Sequence, residues 1–85
     1  MSSVLATEQY KRDVRRADKK HYDLTKLAGI VETLRKNGAV PTSHKLHGEW
    51  SSYQECHIAP DWLLIYKLDP EFLYLYRTGT HNELF

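Results

Sequence analysis

The spacing of apolar residues changes near the middle of this chain, and this change constrains the fold more than any other feature. In the first half apolar residues recur every three or four positions, as Leu24, Leu27 and Val31 do, which is the period of a helix with one buried face. From Trp50 onwards they alternate or form short runs bounded by turn residues, as strands do. Since 85 residues support only one small core, we expect a single α+β domain over residues 1–85.

The first half is predicted to contain a short strand and two helices. Residues 3–6 form a short apolar stretch typical of a strand. Thr7 then supplies an N-cap oxygen for a helix that extends to about Lys20. Asp23 caps a second helix in the same way, and Asn37-Gly38 ends it. The buried face of the first helix is predicted to contain Tyr10, Val14 and Ala17.

The second half is predicted to contain three strands, at residues 49–57, 62–68 and 72–78. The turns between them are short and contain Pro60 and Pro70, which favours an antiparallel meander. The middle strand is apolar on both sides and is therefore expected to be central. Its two faces are Trp62, Leu64, Tyr66 and Leu68 on one side and Leu63 and Ile65 on the other. Because two helices cover only one face of such a sheet, the other face is left for a ligand or partner.

Charge is unevenly distributed between the two halves. Residues 1–36 contain nine Lys/Arg against five Asp/Glu, whereas residues 37–85 contain three against six. The basic residues of the first helix recur at helical spacing, which suits a polyanion or an acidic protein. A solvated helix face has the same pattern, so both interpretations stay open at this point.

Composition also favours a cytoplasmic location. Cys56 is the only cysteine, which excludes an internal disulfide and suits a reducing compartment. The longest apolar run is too short for a membrane span, and residues 1–9 lack the pattern of a secretory signal. We therefore expect a cytoplasmic protein without a membrane partner.

Side chains that transfer protons and bind phosphate stand at the ends of the predicted strands. His57 and Asp61 precede the middle strand, while Arg77 and His81 end and follow the last one. Histidine and aspartate take or give a proton near neutral pH, and arginine binds an anionic phosphate. Together they are the minimum set for cutting RNA without a metal. Since a meander brings the ends of neighbouring strands together, we expect these residues to meet.

A His-x-x-His pair, His44 and His47, raises the alternative of a metal site. Zinc usually requires three or four ligands. The other candidate ligands are His57, Asp61, His81 and Cys56. Most of these are better explained by proton transfer, so neither a metal nor another cofactor is predicted.

Three segments of the second half carry a resemblance to a known family. They are residues 44–50 (HKLHGEW), 55–66 (ECHIAPDWLLIY) and 77–81 (RTGTH), followed by Leu84-Phe85. In these segments, and in residues 10–14 (YKRDV), the chain closely resembles the YafQ branch of the RelE/ParE toxin superfamily. The resemblance implies a RelE-like α+β fold, in which a short N-terminal strand, two helices and a three-stranded antiparallel meander complete one small sheet. The implied activity is cleavage of messenger RNA in the ribosomal decoding site.

The resemblance also implies a set of site residues. The catalytic positions that match are His44, His57, Asp61 and His81, and the positions that line the RNA site are Trp62, Arg77 and Phe85. By resemblance His81 is the general acid, and Arg77 stabilises charge on the phosphate. The general base is either Asp61 or His44.

The same resemblance implies the partners. They are the 70S ribosome with its mRNA and a cognate antitoxin, expected to be acidic and partly disordered, with operator DNA bound, if at all, only by the toxin–antitoxin complex. The alternative function is a non-catalytic inhibitor that binds a protein target, as the gyrase-targeting ParE relatives do. Such an inhibitor has no need of proton-transfer groups, so the histidines and Asp61 argue against it.

Overall fold

A mixed sheet with two long helices on one face forms the framework of the computed structural model, which describes residues 3–85. The elements in chain order are β1 (Ser3–Ala6), α1 (Glu8–Lys19), α2 (Leu24–Asn37), β2 (His44–Lys45), β3 (Gln54–Ala59), β4 (Trp62–Leu68), β5 (Phe72–Gly79) and α3 (His81–Leu84). The predicted α+β class is confirmed.

Both predicted helix starts are confirmed by their caps. The Thr7 hydroxyl accepts a hydrogen bond from the Tyr10 backbone N–H at 2.8 Å, and an Asp23 carboxylate oxygen accepts from the Thr25 N–H at 3.0 Å. Gly38 ends α2 with φ 80, a conformation that only glycine adopts without a steric cost. Among the described residues no helix is both long and apolar enough to cross a membrane.

The sheet has the order β1-β5-β4-β3-β2. β3, β4 and β5 form the predicted antiparallel meander, and β1 lies parallel to β5. β4 is the middle strand, and Trp62 to Tyr66 are all buried, which confirms its predicted central place. The two faces of β4 therefore contact different layers of the protein.

The second half differs from the prediction in two places. The strand predicted from residue 49 begins at Gln54 instead, because Gly48–Trp50 forms a 3-10 turn that starts at a positive φ of 68 on Gly48. No element was predicted between the second helix and residue 49, yet the two residues of β2 pair with Gln54 and Glu55. A strand of two residues has no periodicity that a sequence can reveal.

The side of the sheet that α1 and α2 cover, which we call the helix face, holds the larger core. Its buried members include Tyr10, Ala17, Leu27, Leu34, Cys56, Trp62, Leu64, Tyr66, Leu73 and Leu75. The opposite side, which we call the open face, has a smaller core of Leu63, Ile65 and Leu84. His57 lies opposite Leu63 in the β3–β4 register. Since residues directly opposite each other share a face, His57 belongs to the open face.

Candidate active site

His81 and Asp61 form the centre of the candidate site. His81 is the first residue of α3, directly after β5, and Asp61 lies in the turn between β3 and β4. The His81 Nδ1 atom lies 3.1 Å from the Asp61 Oδ1 atom, and the His81 backbone N–H lies 3.4 Å from the same oxygen. The hydrogen bond between the His81 side chain and the Asp61 carboxylate lowers the pKa of Asp61. Asp61 therefore stays ionised and holds the His81 ring by one nitrogen.

His57 brings a second imidazole to the same place. The ring centroids of His57 and His81 are 6.0 Å apart. The backbone of His57 is fixed by Thr42, whose hydroxyl accepts from the His57 N–H at 3.0 Å and donates to the His57 carbonyl at 3.2 Å. Of the four residues predicted to meet at the strand ends, His57, Asp61 and His81 thus lie together, whereas Arg77 is bonded to Asp13 on α1.

His44 lies on β2, the edge strand next to His57. Its Nε2 atom is 2.5 Å from the Glu55 Oε1 atom, and its Nδ1 atom is 3.2 Å from the Thr42 carbonyl oxygen. Glu55 is only 7% exposed, so its carboxylate is held firmly behind the imidazole. Within residues 3–85 the polar partners of His44 are these two residues, and Thr42 links it to His57.

Arg77 bonds to a buried carboxylate on α1. Its Nε atom lies 2.9 Å from Asp13 Oδ2 and its Nη2 atom lies 3.1 Å from Asp13 Oδ1. Asp13 is 2% exposed and also accepts hydrogen bonds from Gln9, Arg16 and the Thr78 N–H. Burial alone would raise the pKa of Asp13, but the bonds from Arg77, Gln9 and Thr78 together lower it. Two of the three guanidinium nitrogens of Arg77 are therefore engaged with Asp13.

The structure places the two predicted aromatic RNA contacts on different surfaces. Trp62 is 4% exposed on the helix face, where its indole N–H donates to the Thr78 hydroxyl at 2.9 Å and its ring packs on Tyr22. One edge of Trp62 reaches a cavity of about 250 Å³ that Asp61 also lines. Phe85, in contrast, is 57% exposed and contacts Trp50.

Glu83 joins α3 to α1. Its Oε2 atom lies 2.8 Å from Lys20 Nζ and 3.0 Å from Arg16 Nε, while its Oε1 atom accepts from the Thr80 N–H at 2.9 Å. A Cβ at Gly79 would lie 2.9 Å from that Oε1 atom, so glycine permits this close approach. We call Arg16, Lys20, Thr80 and Glu83 the Glu83 network. It fixes the helix that carries His81, and its Arg16 and Lys20 belong to the basic residues for which a polyanion, an acidic protein and a solvated face were all left open.

The Glu83 network is expected to make stability depend on acid. The hydrogen bond from Lys20 is the main reason that the pKa of Glu83 falls from 4.5 to about 2. A carboxyl with a depressed folded pKa stabilises the fold above its unfolded value, and this contribution is lost as pH falls towards the folded value. The thermal stability of the parent should therefore fall between about pH 4.5 and pH 2. The Glu83→Gln variant should lose less thermal stability over the same window. Parallel curves for the two proteins would show that these ion pairs do not stabilise the fold.

Three acidic residues of this region were not singled out by sequence reasoning. Asp13 lies three residues after Tyr10 and four before Ala17, so it shares the buried face of α1, where a carboxylate requires a partner. Glu83 follows Thr80 at the spacing of a capping box, which the structure contains. Glu55 gives no such signal, because its partner depends on the pairing of β2 with β3.

This fold and this set of side chains define a class of bacterial toxins. The model of the family described as "Bacterial toxin of type II toxin-antitoxin system, YafQ" matches residues 2–85. The chain therefore belongs to the YafQ family of type II toxins, as its motifs predicted.

Individual relatives agree with this assignment. The mRNA interferase toxin YafQ of Escherichia coli K12 is 44% identical over 81 residues, which cover 91% of this chain and 88% of the relative. YafQ in the E. coli DinJ-YafQ toxin-antitoxin complex has 40% identity and a TM-score of 0.90, covering 99% of this chain and 97% of that one. A metal-bound toxin from Helicobacter pylori has 31% identity and a TM-score of 0.88, with 100% of both chains covered. In the described part of the present chain no three His, Cys, Asp or Glu residues are grouped to hold a metal ion.

Proposed function

We propose that this protein is an mRNA interferase that cleaves messenger RNA on the ribosome by metal-independent acid–base chemistry. The observation that carries the proposal is the placement of His57, Asp61 and His81 together at one end of the open face. Its relatives named mRNA interferase toxins support the same activity. The reaction is attack of a ribose 2′-hydroxyl on the adjacent phosphate, with loss of the 5′-oxygen of the next nucleotide.

His81 acts as the general acid in this proposal. Its Nδ1 atom is engaged with Asp61, which leaves Nε2 to protonate the departing 5′-oxygen. Asp61 stays ionised because its pKa is lowered, so it is a weak proton acceptor. A weak acceptor suits orientation of the acid better than removal of a proton from a hydroxyl.

The general base is then assigned to His44. Both ring nitrogens of His44 lie beside oxygen acceptors, Nε2 at Glu55 and Nδ1 at the Thr42 carbonyl, so one of these contacts must open before the imidazole takes the proton of the 2′-hydroxyl. His57 lies along β3 between this pair and His81 and stabilises charge on the phosphate. The remaining guanidinium nitrogen of Arg77 adds to that stabilisation, since its orientation is set by Asp13.

The ribosome and an antitoxin are the proposed partners. A net charge of +1 provides little of the phosphate attraction that dominates binding to free RNA, so we infer that the ribosome presents the mRNA to the site. An antitoxin is inferred from the DinJ-YafQ complex of the E. coli relative. The exposed basic side chains of α1, such as Lys11, Arg12 and Arg15, suit an acidic segment that folds on binding.

The test is to map new 5′ ends of transcripts in a translating extract that contains the purified protein. We expect cuts in reading frame on translated mRNA and none on the same RNA when translation is blocked. A reporter with a single 2′-deoxy nucleotide at a mapped cut should resist cleavage there while neighbouring sites are still cut, because the attacking hydroxyl is missing. An extract with no new ends would contradict the nuclease, and cleavage at the 2′-deoxy site would contradict the proposed mechanism.

A further inference from the structure

Four aromatic side chains form one connected group on the open face. Trp50 contacts the rings of Tyr53, Tyr76 and Phe85, with centroid distances of 5.8, 5.6 and 6.2 Å. Tyr53 and Tyr76 also contact each other at 4.9 Å. We call these four residues the aromatic surface.

The aromatic surface lies above the small core of the open face and is accessible to solvent. Phe85 is 57% exposed, and Trp50, Tyr53 and Tyr76 are half-buried. Tyr53 and Tyr76 pack on the core formed by Leu63, Ile65 and Leu84. Contacts below and between the rings therefore hold them in place while part of each stays available to a ligand.

The aromatic surface is continuous with the candidate active site. Phe85 follows α3, the short helix whose first residue is His81, and its backbone N–H donates to the His81 carbonyl at 2.9 Å. At the other end, Lys67 places its ammonium 6.0 Å from the centre of the Tyr53 ring. A strand of RNA with its reacting phosphate at His81 thus meets first a set of aromatic rings and then a cation.

Aromatic rings with a nearby cation are the usual means of holding single-stranded RNA without reading its sequence. We propose that the aromatic surface stacks the nucleobases next to the cut phosphate, with Trp50 and Phe85 nearest the site and Lys67 binding a neighbouring phosphate. This inference rests on the proposed function, since it assigns part of the path of the same mRNA. The edge contacts fix the rings before RNA arrives, so little conformational freedom is lost on binding.

The test compares cleavage of a defined mRNA on programmed ribosomes at increasing concentrations of the protein. Trp50→Leu keeps an apolar side chain but removes the ring, and it should raise the half-saturating concentration by roughly 5- to 150-fold, the range expected for loss of one base–aromatic stack. The maximal rate should change much less, because no proton-transfer group is touched. Trp50→Phe retains a ring and should recover most of the loss. Tyr53→Leu is a second variant with the same expected direction, should Trp50→Leu fail to fold.

Val4→Ala is the control, since it shortens another exposed apolar side chain on β1, the edge strand next to β5. It should cleave as the parent does. If the parent cuts mRNA and both leucine variants at positions 50 and 53 keep its half-saturating concentration, the aromatic surface does not bind RNA. If these variants bound the antitoxin more weakly but cleaved mRNA as the parent does, the proposal would also be overturned. The aromatic surface would then be a binding site for the antitoxin. If the parent itself does not cut, the proposed function fails first.

Discussion

Replacing His81 by alanine is expected to reduce the maximal rate of mRNA cleavage by about 100- to 10,000-fold, the usual contribution of a general acid or base. The imidazole is held by Asp61 at 3.1 Å and is more than half exposed. Its loss therefore removes the proton donor without opening a cavity in either core. Single-turnover cleavage on programmed ribosomes measures the effect, and circular dichroism checks the fold.

His47→Ala is the control for the His81 variant. His47 is also an exposed histidine, and it lies outside the proposed catalytic set, so its variant should cut at the parent's rate. If His81→Ala also cut at that rate, His81 would not be the general acid.

Replacing Asp13 by alanine is expected to lower the free energy of unfolding by about 3 kcal/mol, which is the low end of the cost of breaking a buried ion pair. The low end applies because the Arg77 side chain keeps 23% exposure and regains some water. The variant also leaves the buried Thr78 N–H without its acceptor. Small domains typically have a free energy of unfolding of about 5–15 kcal/mol. A loss of this size should therefore be measurable by urea unfolding.

Asp18→Ala is the matched control, because Asp18 lies on the same helix and is exposed. Its effect should stay within about 0.5 kcal/mol. We expect Asp13→Ala to weaken cleavage as well, since Arg77 loses the contact that orients it. A second substitution, Arg77→Met, should lower the free energy of unfolding less in the Asp13→Ala background than in the parent. If the two reductions simply add, the two residues are not coupled.

Local patterns in the sequence were sufficient for most of the framework. The helix starts at Thr7 and Asp23 and the end at Gly38 depend on residues within one turn, and the structure has them as predicted. Residues 62–68 were predicted to be the central strand because they are apolar on both faces, and successive side chains of a strand point to opposite faces. β2 was not predicted, because its two residues form a strand only through their pairing with β3.

Local sequence patterns predicted the candidate site only in part. Strand ends predicted that His57, Asp61, Arg77 and His81 would meet, and the structure shows this for His57, Asp61 and His81. The resemblance added Trp62 as an RNA contact beside Arg77, yet the structure shows Trp62 packed in the helix-face core and Arg77 bonded to Asp13. Their roles toward RNA stay predictions, and the partners that constrain them were not visible in the spacing of residues.

The sequence by itself determined the α+β class and the residue types at the strand ends, because caps, turns and periodicity act between near neighbours, and its motifs carried the resemblance to the family. Only the tertiary structure decided which side chains are bonded to each other. Asp13 and Arg77 are 64 positions apart in the sequence, and Asp61 and His81 are 20 apart. Both contacts follow from strand register and from how α1 and α3 pack on β5. Such contacts depend on the whole fold, so the aromatic surface and the Glu83 network could be recognised only once that fold was known.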